Sequence, residues 1–247
     1  MTAPLFLLGP PALAAVRPGA RVVLDGPEGR HAATVRRIVA GERVDVGDGA
    51  GRVARCTAVG VWRDVVELAV DAVDDVPQPA VRLTLAQALA KGGRDELAIE
   101  AATEVGVDVV VPYRAARSVV VWTGERGQRA RAKWVATVRE AGKQARRAWL
   151  PDVTALHDRA TLARRCSAAA LALVLHEEAA EALSAVPLPQ AGELLVVVGP
   201  EGGLEAAEVD ELVAVGAHAV RLGPTVLRSS TAGPAALAVL SARLGRW

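Results

Sequence analysis

The sequence predicts an α/β protein in two parts: a small β-rich domain over residues 1–75 and a parallel-sheet domain over 76–247. Three observations carry this. Residues 1–75 hold short alternating Val and Leu runs between Gly- and Asp-rich turns. After the Pro-bearing junction "VPQPA" (76–80), strands alternate with helical stretches, the pattern of a parallel sheet with helices on both faces. Twice, at 194–212 and at 219–237, an apolar strand ends in a Gly-Pro turn that opens a helix. α/β proteins build ligand sites in this way at the carboxyl ends of parallel strands.

The first domain opens on "MTAPLFLLGPPALAAV", read as a strand and a loop. It lacks the basic start of a signal peptide, and Gly9-Pro10-Pro11 cuts the apolar run short. "ARVVLDG", "ERVDVGDGAGRVARCTAVGVW" and "DVVELAVDAV" supply further strands, with Asp48-Gly49 as a turn dipeptide. One helical patch, "HAATVRRIVAG", interrupts them and is expected to stop at Gly41. The set resembles a small barrel. In the second domain "VRLTLAQAL" reads as a buried strand. "RDELAIEAATEVGV" reads as a helix with Leu97, Ile99, Ala101, Ala102 and Val105 on its apolar face, ended by Gly106. "DVVVPYRA" is a strand, and "ERGQRARAKWVATVREAGKQARRAWL" a long basic helix stopping before Pro151. There follow strand "ALALVLHE", helix "EEAAEAL", strand "ELLVVV", helix "EAAEVDELVAVG", strand "AVRL" and a last helix, "TAGPAALAVLSARL".

Composition excludes several classes. With 247 residues, 51% of them hydrophobic, the chain can bury a core in each part. No apolar run approaches the roughly 18 residues of a membrane span. Cys56 and Cys166, 110 positions apart, suit neither a disulfide framework nor a zinc site. They are expected to be reduced, buried thiols of a cytoplasmic protein, and no metal is expected. Net charge is only +1, but residues 114–147 carry ten Lys/Arg against two acids, and residues 177–211 carry nine acids and no Lys or Arg. The segregation favours a polyanionic partner, nucleic acid, over a merely solvated helix face.

"GPEGG" at 199–203 matches neither the dinucleotide nor the P-loop glycine pattern, and a P-loop lysine is missing. Glu201, Glu205 and Glu208 would repel a phosphate at the helix start, so a neutral or cationic ligand is expected. S-adenosylmethionine, a sulfonium without phosphate, satisfies that charge logic; an ordinary tight connection is the alternative. In the second loop, "LGPTVLR" is too apolar to lie bare, so Val226 and Leu227 are expected to be covered by the chain or by a ligand's base. Ser229, Ser230 and Thr231 offer helix N-cap oxygens, with Gly233-Pro234 in the first turn. Arg228 stands where the helix dipole disfavours a cation, which calls for an oxygen-rich partner.

"VVVGPEGGLEAAEV" and "VRLGPTVLRSSTA" resemble the signature loops of the RsmE-type branch of the SPOUT RNA methyltransferases. "ALAKGGRDELAIEAATEVGV", "VPYRAARSVV", "EAGKQARRAWLPDV" and "RHAATVRRIVAGERVDVGDG" are similar to further family motifs in the same order, so the resemblance covers almost the whole chain. It implies an N-terminal PUA-like RNA-binding barrel, a C-terminal trefoil-knotted methyltransferase domain, and a homodimer. The implied reaction is S-adenosylmethionine-dependent methylation of uridine N3 in the decoding region of 16S rRNA, on the assembled small subunit. By the same resemblance the cofactor is held by Leu175 and His176, by Gly199, Pro200, Glu201 and Gly202, and by Leu222, Gly223, Val226, Leu227 and Thr231.

Deprotonated uracil N3 spreads its charge onto O2 and O4, and a guanidinium would stabilise that anion as it forms. Arg228 is the catalytic candidate, with a structural ion pair as the alternative. For RNA contact the candidates are Arg36, Arg37, Lys91, Arg94, Arg114, Arg117, Arg146 and Arg147; with aromatics at 3%, phosphate and shape recognition should dominate over base stacking. Two positions depart from the family pattern. Ser230 replaces a Glu, leaving the proton acceptor to Glu201 or water, and Ala101 replaces a Lys. The competing readings are a methyltransferase acting on tRNA or a ribose 2′-OH, and a ribosome assembly factor without activity.

Overall fold

A computed structural model of the chain describes residues 2–247. They form two units, one made of the residues up to Gln78 together with Gly142–Leu150, the other of Pro79–Ala141 and Pro151–Trp247. The segment 142–150, which the sequence reading kept in the second domain, therefore packs within the first.

The first unit comprises β1 (Leu5–Leu7), a short helix α1 (Pro10–Leu13), β2 (Arg21–Leu24), α2 (Gly26–Arg30), β3 (Arg43–Gly47), β4 (Arg52–Trp62) and β5 (Val65–Asp75). The strands lie in the order β1-β3-β4-β5-β2, antiparallel except for β1 beside β3. All five strands send side chains to one core, including Phe6, Val22, Leu24, Val44, Val46, Cys56, Val66 and Leu68, so the sheet curls around it. Register shifts at Arg55/Cys56 and Ala58/Gly60 supply the bend. The opposite side of β1 and β4 is covered by the returning segment: Leu5, Leu7 and Val53 pack against Ala148 and Leu150. The Leu150 amide donates to Gly49 O at 2.9 Å, and Trp149 Nε1 donates to Val76 O at 2.8 Å. The expected helical patch runs earlier than read, through α2 and a π turn at His31–Val35. It ends at Arg37, which takes a left-handed φ of 55°, and not at Gly41.

The second unit comprises β6 (Val81–Ala88), α3 (Arg94–Glu104), β7 (Val109–Tyr113), α4 (Gly124–Gln144, whose last turn belongs to the first unit), β8 (Asp152–Val153), α5 (Arg159–Ala168), β9 (Leu171–Leu175), β10 (Glu181–Ala182), β11 (Gly192–Val198), α6 (Ala206–Ala214), β12 (His218–Arg221) and α7 (Ser229–Arg243). The sheet is parallel throughout, in the order β10-β12-β9-β11-β6-β7-β8. Its central strand is the unbroken apolar run that ends at the glycine turn. Leu194, Val196 and Val198 enter a core with Ile99, Trp134, Val138 and Leu237, from α3, α4 and α7. Leu195 and Val197 enter a second core with Leu162, Cys166 and Leu212, from α5 and α6. Burial on both faces is why the strand reads as a continuous hydrophobic run. At the start of α7, Gly233 lets the helix approach the sheet: a Cβ there would lie 2.9 Å from Leu85 Cδ1.

Three local expectations differ from the structure. The acidic stretch expected as helix "EEAAEAL" is a turn followed by β10, because Glu181–Ala182 pair with Val220–Arg221 at the sheet edge. Leu97 is 59% exposed, and α3 buries Asp95, Ala98, Ile99, Ala102 and Thr103 instead. α4 ends at Gln144, short of Pro151, with Arg146 at φ 54° just beyond it. Both cysteines are free and buried, and burial pushes the thiols up, Cys56 to about 12 and Cys166 to about 11. Among the described residues no helix is long and apolar enough to cross a membrane.

One residue of this unit makes stability depend on pH. Burial holds the His157 pKa below its usual value, partly offset by the Nδ1 hydrogen bond to Ala155 O at 2.9 Å. The unfolded chain then binds more protons than the folded one in the acid range. Stability contributed by neutral His157 is present above about pH 6.5 and is lost as pH falls through the lower folded value. Urea melts at pH 7.5 and 5.5 are expected to show the loss, and His157→Gln is expected to reduce it.

Candidate functional site

Strands β9, β11 and β12 end together, and the loops that follow them enclose a cleft with a cavity volume of about 310 Å³, continued by a smaller one of about 80 Å³. Leu175 ends β9 and His176 follows it, Gly199, Pro200 and Glu201 follow β11, and Leu222, Gly223, Val226 and Leu227 follow β12; Arg228 borders the larger cavity. Gly202 and Thr231, also named from the sequence, do not line it. Gly202 faces Arg117, whose Cδ would be 3.4 Å from a Cβ at that glycine, and Thr231 lies within α7. Arg94, Glu177, Leu204, Ser229 and Ala232 line the cleft without having been assigned to the cofactor beforehand.

The glycine loop is held from several sides. Gly203 N donates to Pro200 O at 2.9 Å, closing the turn. Glu201 Oε1 accepts the Lys91 amide at 3.1 Å and lies 3.5 Å from Arg94 Nη1. Arg117 Nη1 donates to Gly202 O at 2.8 Å. Below the loop, the fully buried Tyr113 hydroxyl donates to Val198 O at 2.9 Å. The two glutamates after the turn form a capping box for α6: the Glu205 side chain accepts from the Glu208 backbone, and Glu208 Oε2 accepts Glu205 N at 3.1 Å. Glu208 is buried, and its other oxygen accepts Ala116 N at 2.8 Å. The acids that argue against phosphate in the sequence therefore also serve as structural fasteners.

The second loop is open. Val226 is 77% and Leu227 36% exposed, so the chain itself does not cover them. Among the described residues, Gly223, Val226 and Leu227 engage no other backbone group in a hydrogen bond. The expected Ser/Thr cap is absent: Arg228 is the N-cap of α7, without a side-chain cap. Pro234 falls in the second turn, not the first. Ser229 borders the cleft, and its hydroxyl is buried without a hydrogen-bond partner. Arg228 is exposed and has no ion pair among the described residues, so the structural alternative for it is not realised. His176 Nδ1 accepts the Glu178 amide at 3.3 Å.

This cleft has the make-up of a small-molecule site: apolar walls, a few aimed backbone groups and one unanswered hydroxyl. Bare apolar groups and idle backbone donors and acceptors suit a heteroaromatic ring. The Gly199–Gly203 side offers polar backbone without a lysine.

The candidate RNA contacts fall in both units. In the second, Arg94 and Arg117 are drawn to Glu201 and Glu205, Lys91 takes part through its backbone, and Arg114 is exposed. In the first, Arg36, Arg37 and Arg146 are exposed and Arg147 is half-buried. Among the described residues no group of His, Cys, Asp and Glu could hold a metal.

The profile of an RNA methyltransferase domain matches residues 77–241, and that of an RNA methyltransferase PUA domain matches residues 24–57. A Mycobacterium bovis protein, ribosomal RNA small subunit methyltransferase E, is 46% identical over 233 residues, 93% of this chain and 89% of its own. The Bacillus subtilis protein of the same name is 31% identical over 226 residues, 88% of each chain. Among solved structures, one from Legionella pneumophila, described as a methyltransferase with bound cofactor SAM, has a TM-score of 0.85 at 25% identity over 98% of both chains. A Neisseria gonorrhoeae ribosomal RNA small subunit methyltransferase E bound to S-adenosyl methionine shares the fold, with a TM-score of 0.84 at 24% identity over 98% of both chains.

Proposed function

The chain belongs to the ribosomal RNA small subunit methyltransferase E family, and from that membership we infer that it transfers a methyl group from S-adenosylmethionine to N3 of a uridine in the decoding region of 16S rRNA. The observation that carries the assignment to this cleft is the coincidence of bare Val226 and Leu227 with the partnerless Ser229 hydroxyl at the strand ends. An adenine ring would cover the two side chains, its edge read by backbone groups of Leu222 and Leu227. Leu175, His176 and the 199–203 turn would hold the rest of the molecule. Bound there, S-adenosylmethionine supplies an electrophilic methyl group on a sulfonium sulfur, and the missing P-loop lysine fits its positive charge.

The chemistry asks two things of the protein. Uracil N3 must lose its proton before its lone pair can attack, and the charge then resides on O2 and O4. Arg228, exposed and unpaired at the rim, donates to one of those oxygens and stabilises the anion where it develops. The cleft and the bound RNA must also align nitrogen, methyl carbon and sulfur, which removes the entropic part of the barrier. The N3 proton would leave first, and the sulfur–methyl bond would then break as the N3–methyl bond formed. Ser230 is no carboxylate base, and Glu201 is engaged by Lys91 and Arg94, so we assign that proton to water. The first unit, with its exposed arginines, is assigned to RNA binding. The reading includes a knotted second unit, a homodimer and action in the cytoplasm.

The test is incubation with S-adenosylmethionine and small subunits from a strain lacking the modification, then digestion of the rRNA and mass spectrometry of its nucleosides. N3-methyluridine at one decoding-region position is the expected product. Cofactor binding without transfer would redirect the search to another RNA, and the absence of both would make the chain a ribosome-binding factor.

A further inference from the structure

We propose that the first unit carries a built site for a single phosphodiester of the RNA backbone, formed by His31, Arg36, Gln144 and Arg146 above Phe6. The proposal rests on the rRNA reading above and specifies where the substrate is gripped away from the cofactor cleft.

These residues line a separate cavity of about 50 Å³ in the first unit. It is far below the roughly 300–1,000 Å³ of small-molecule pockets, and a tetrahedral anion is the kind of group it can seat. Its lining comes from three stretches far apart in sequence, Pro4–Phe6, the π turn with the Arg36 that ends it, and the last residues of α4 with Arg146 just beyond, which the fold brings to one place. The Phe6 ring meets His31 edge to face, centroids 5.6 Å apart, and fixes the imidazole at the wall.

The charges are arranged for an anion. Lys143, 6% exposed, places Nζ 2.9 Å from Glu28 Oε1, and Glu28 Oε2 accepts the Leu7 amide at 3.4 Å. Among the described residues no carboxylate lines the pocket, and Glu28, which the lining residue Lys143 meets, is neutralised by that pair and would not oppose an incoming phosphate. Arg36 and Arg146 at the rim have no acidic partner among the described residues, whereas Arg52 and Arg55 of the same unit are paired with Asp75 and with Asp45 and Asp74. Two guanidiniums, an amide and an imidazole are the donors that recognise phosphate oxygens.

The backbone agrees. Both helical segments end in the left-handed conformation that ordinarily takes glycine. Here the residues are Arg37, with Ile38 N donating to Ala32 O at 3.1 Å, and Arg146, with Arg147 N donating to Gly142 O at 2.9 Å. Arg146 takes a strained backbone conformation in the lining of the pocket.

The test is a double-mutant cycle on the full-length protein, binding unmodified small subunits over a range of salt. Arg36→Ala and Arg146→Ala are each expected to weaken binding about 10-fold and to lower the salt slope by about one. If both arginines hold one phosphate, the double variant loses little more than either single one, about 10- to 20-fold and not about 100-fold. The affinity for S-adenosylmethionine, read in the second unit, should stay unchanged, and an unchanged thermal melt reports an intact first unit. Arg43→Ala, an exposed arginine of the same unit outside the pocket, is the control and should change binding less than about twofold. Strictly additive losses, or losses no larger than the control's, would overturn the proposal. Wild-type protein that does not bind small subunits would instead overturn the rRNA reading, and this site with it.

Discussion

Replacing Arg228 with alanine is expected to cut the single-turnover rate of methyl transfer by about 10²- to 10³-fold, the loss typical of a removed oxyanion donor. The Kd for S-adenosylmethionine should move less than about threefold, because the walls of the cleft are apolar side chains and backbone. The substitution is clean in structural terms. Arg228 caps α7 only through its backbone, at φ −65° and ψ 152°, so alanine at that position removes no side-chain hydrogen bond from the helix. A lysine there should recover part of the rate and not all of it, since a point charge replaces a planar fork of donors. Rapid-quench transfer to small subunits at saturating cofactor measures the rate, and calorimetry the affinity. A rate that survives the alanine would remove Arg228 from the chemistry.

The second large effect is on stability. Gly29 in α2 has ordinary helical dihedrals, so its need for glycine comes from space alone. A Cβ there would lie 2.5 Å from Leu24 O and 2.8 Å from Leu24 C, and would also collide with Asp64 O. Backbone atoms cannot swing aside as a side chain does. Gly29→Ala should cost about 3 kcal/mol or more, lowering the Tm of the affected transition by about 10 °C. Gly19→Ala is the informative comparison: φ there is +86° with nothing within 4 Å of a Cβ, so only the dihedral penalty of about 1 kcal/mol applies. Equal melting points for the two variants would show that α2 can shift to make room.

Much of this was legible from residues alone. The run Leu194–Val198 announces a strand buried on both faces, and "GPEGG" and "LGPTVLR" mark the loops that line the cleft. What periodicity could not supply is pairing. Glu181–Ala182 looks helical until β12 offers an edge to pair with, and tertiary hydrogen bonds outweigh a weak local preference. The left-handed arginines are hidden for a similar reason, because Gly41 looks the better stop until the Ala32 carbonyl claims Ile38. Ser229 shows the same limit. Its sequence suggests a helix cap, and only the fold reveals a buried hydroxyl without a partner on a residue that lines the cleft. Lys143 reads as one more charge of a basic helix, yet it is buried against Glu28, a residue 115 positions earlier.

That last distance has a consequence for the protein while it is being made. The first unit is not finished when Gln78 is added; it waits for Gly142–Leu150 to bring Ala148 and Leu150 onto Leu5, Leu7 and Val53. At about 5–20 residues per second, the ribosome needs roughly 4 to 15 s to reach residue 150 from residue 78, and longer to clear it from the exit tunnel. Through that interval the nascent β1 and β4 expose apolar side chains that belong under a segment not yet translated. A chaperone binding early on the growing chain would find its target there, and a fragment truncated at residue 78 would keep that surface bare for good.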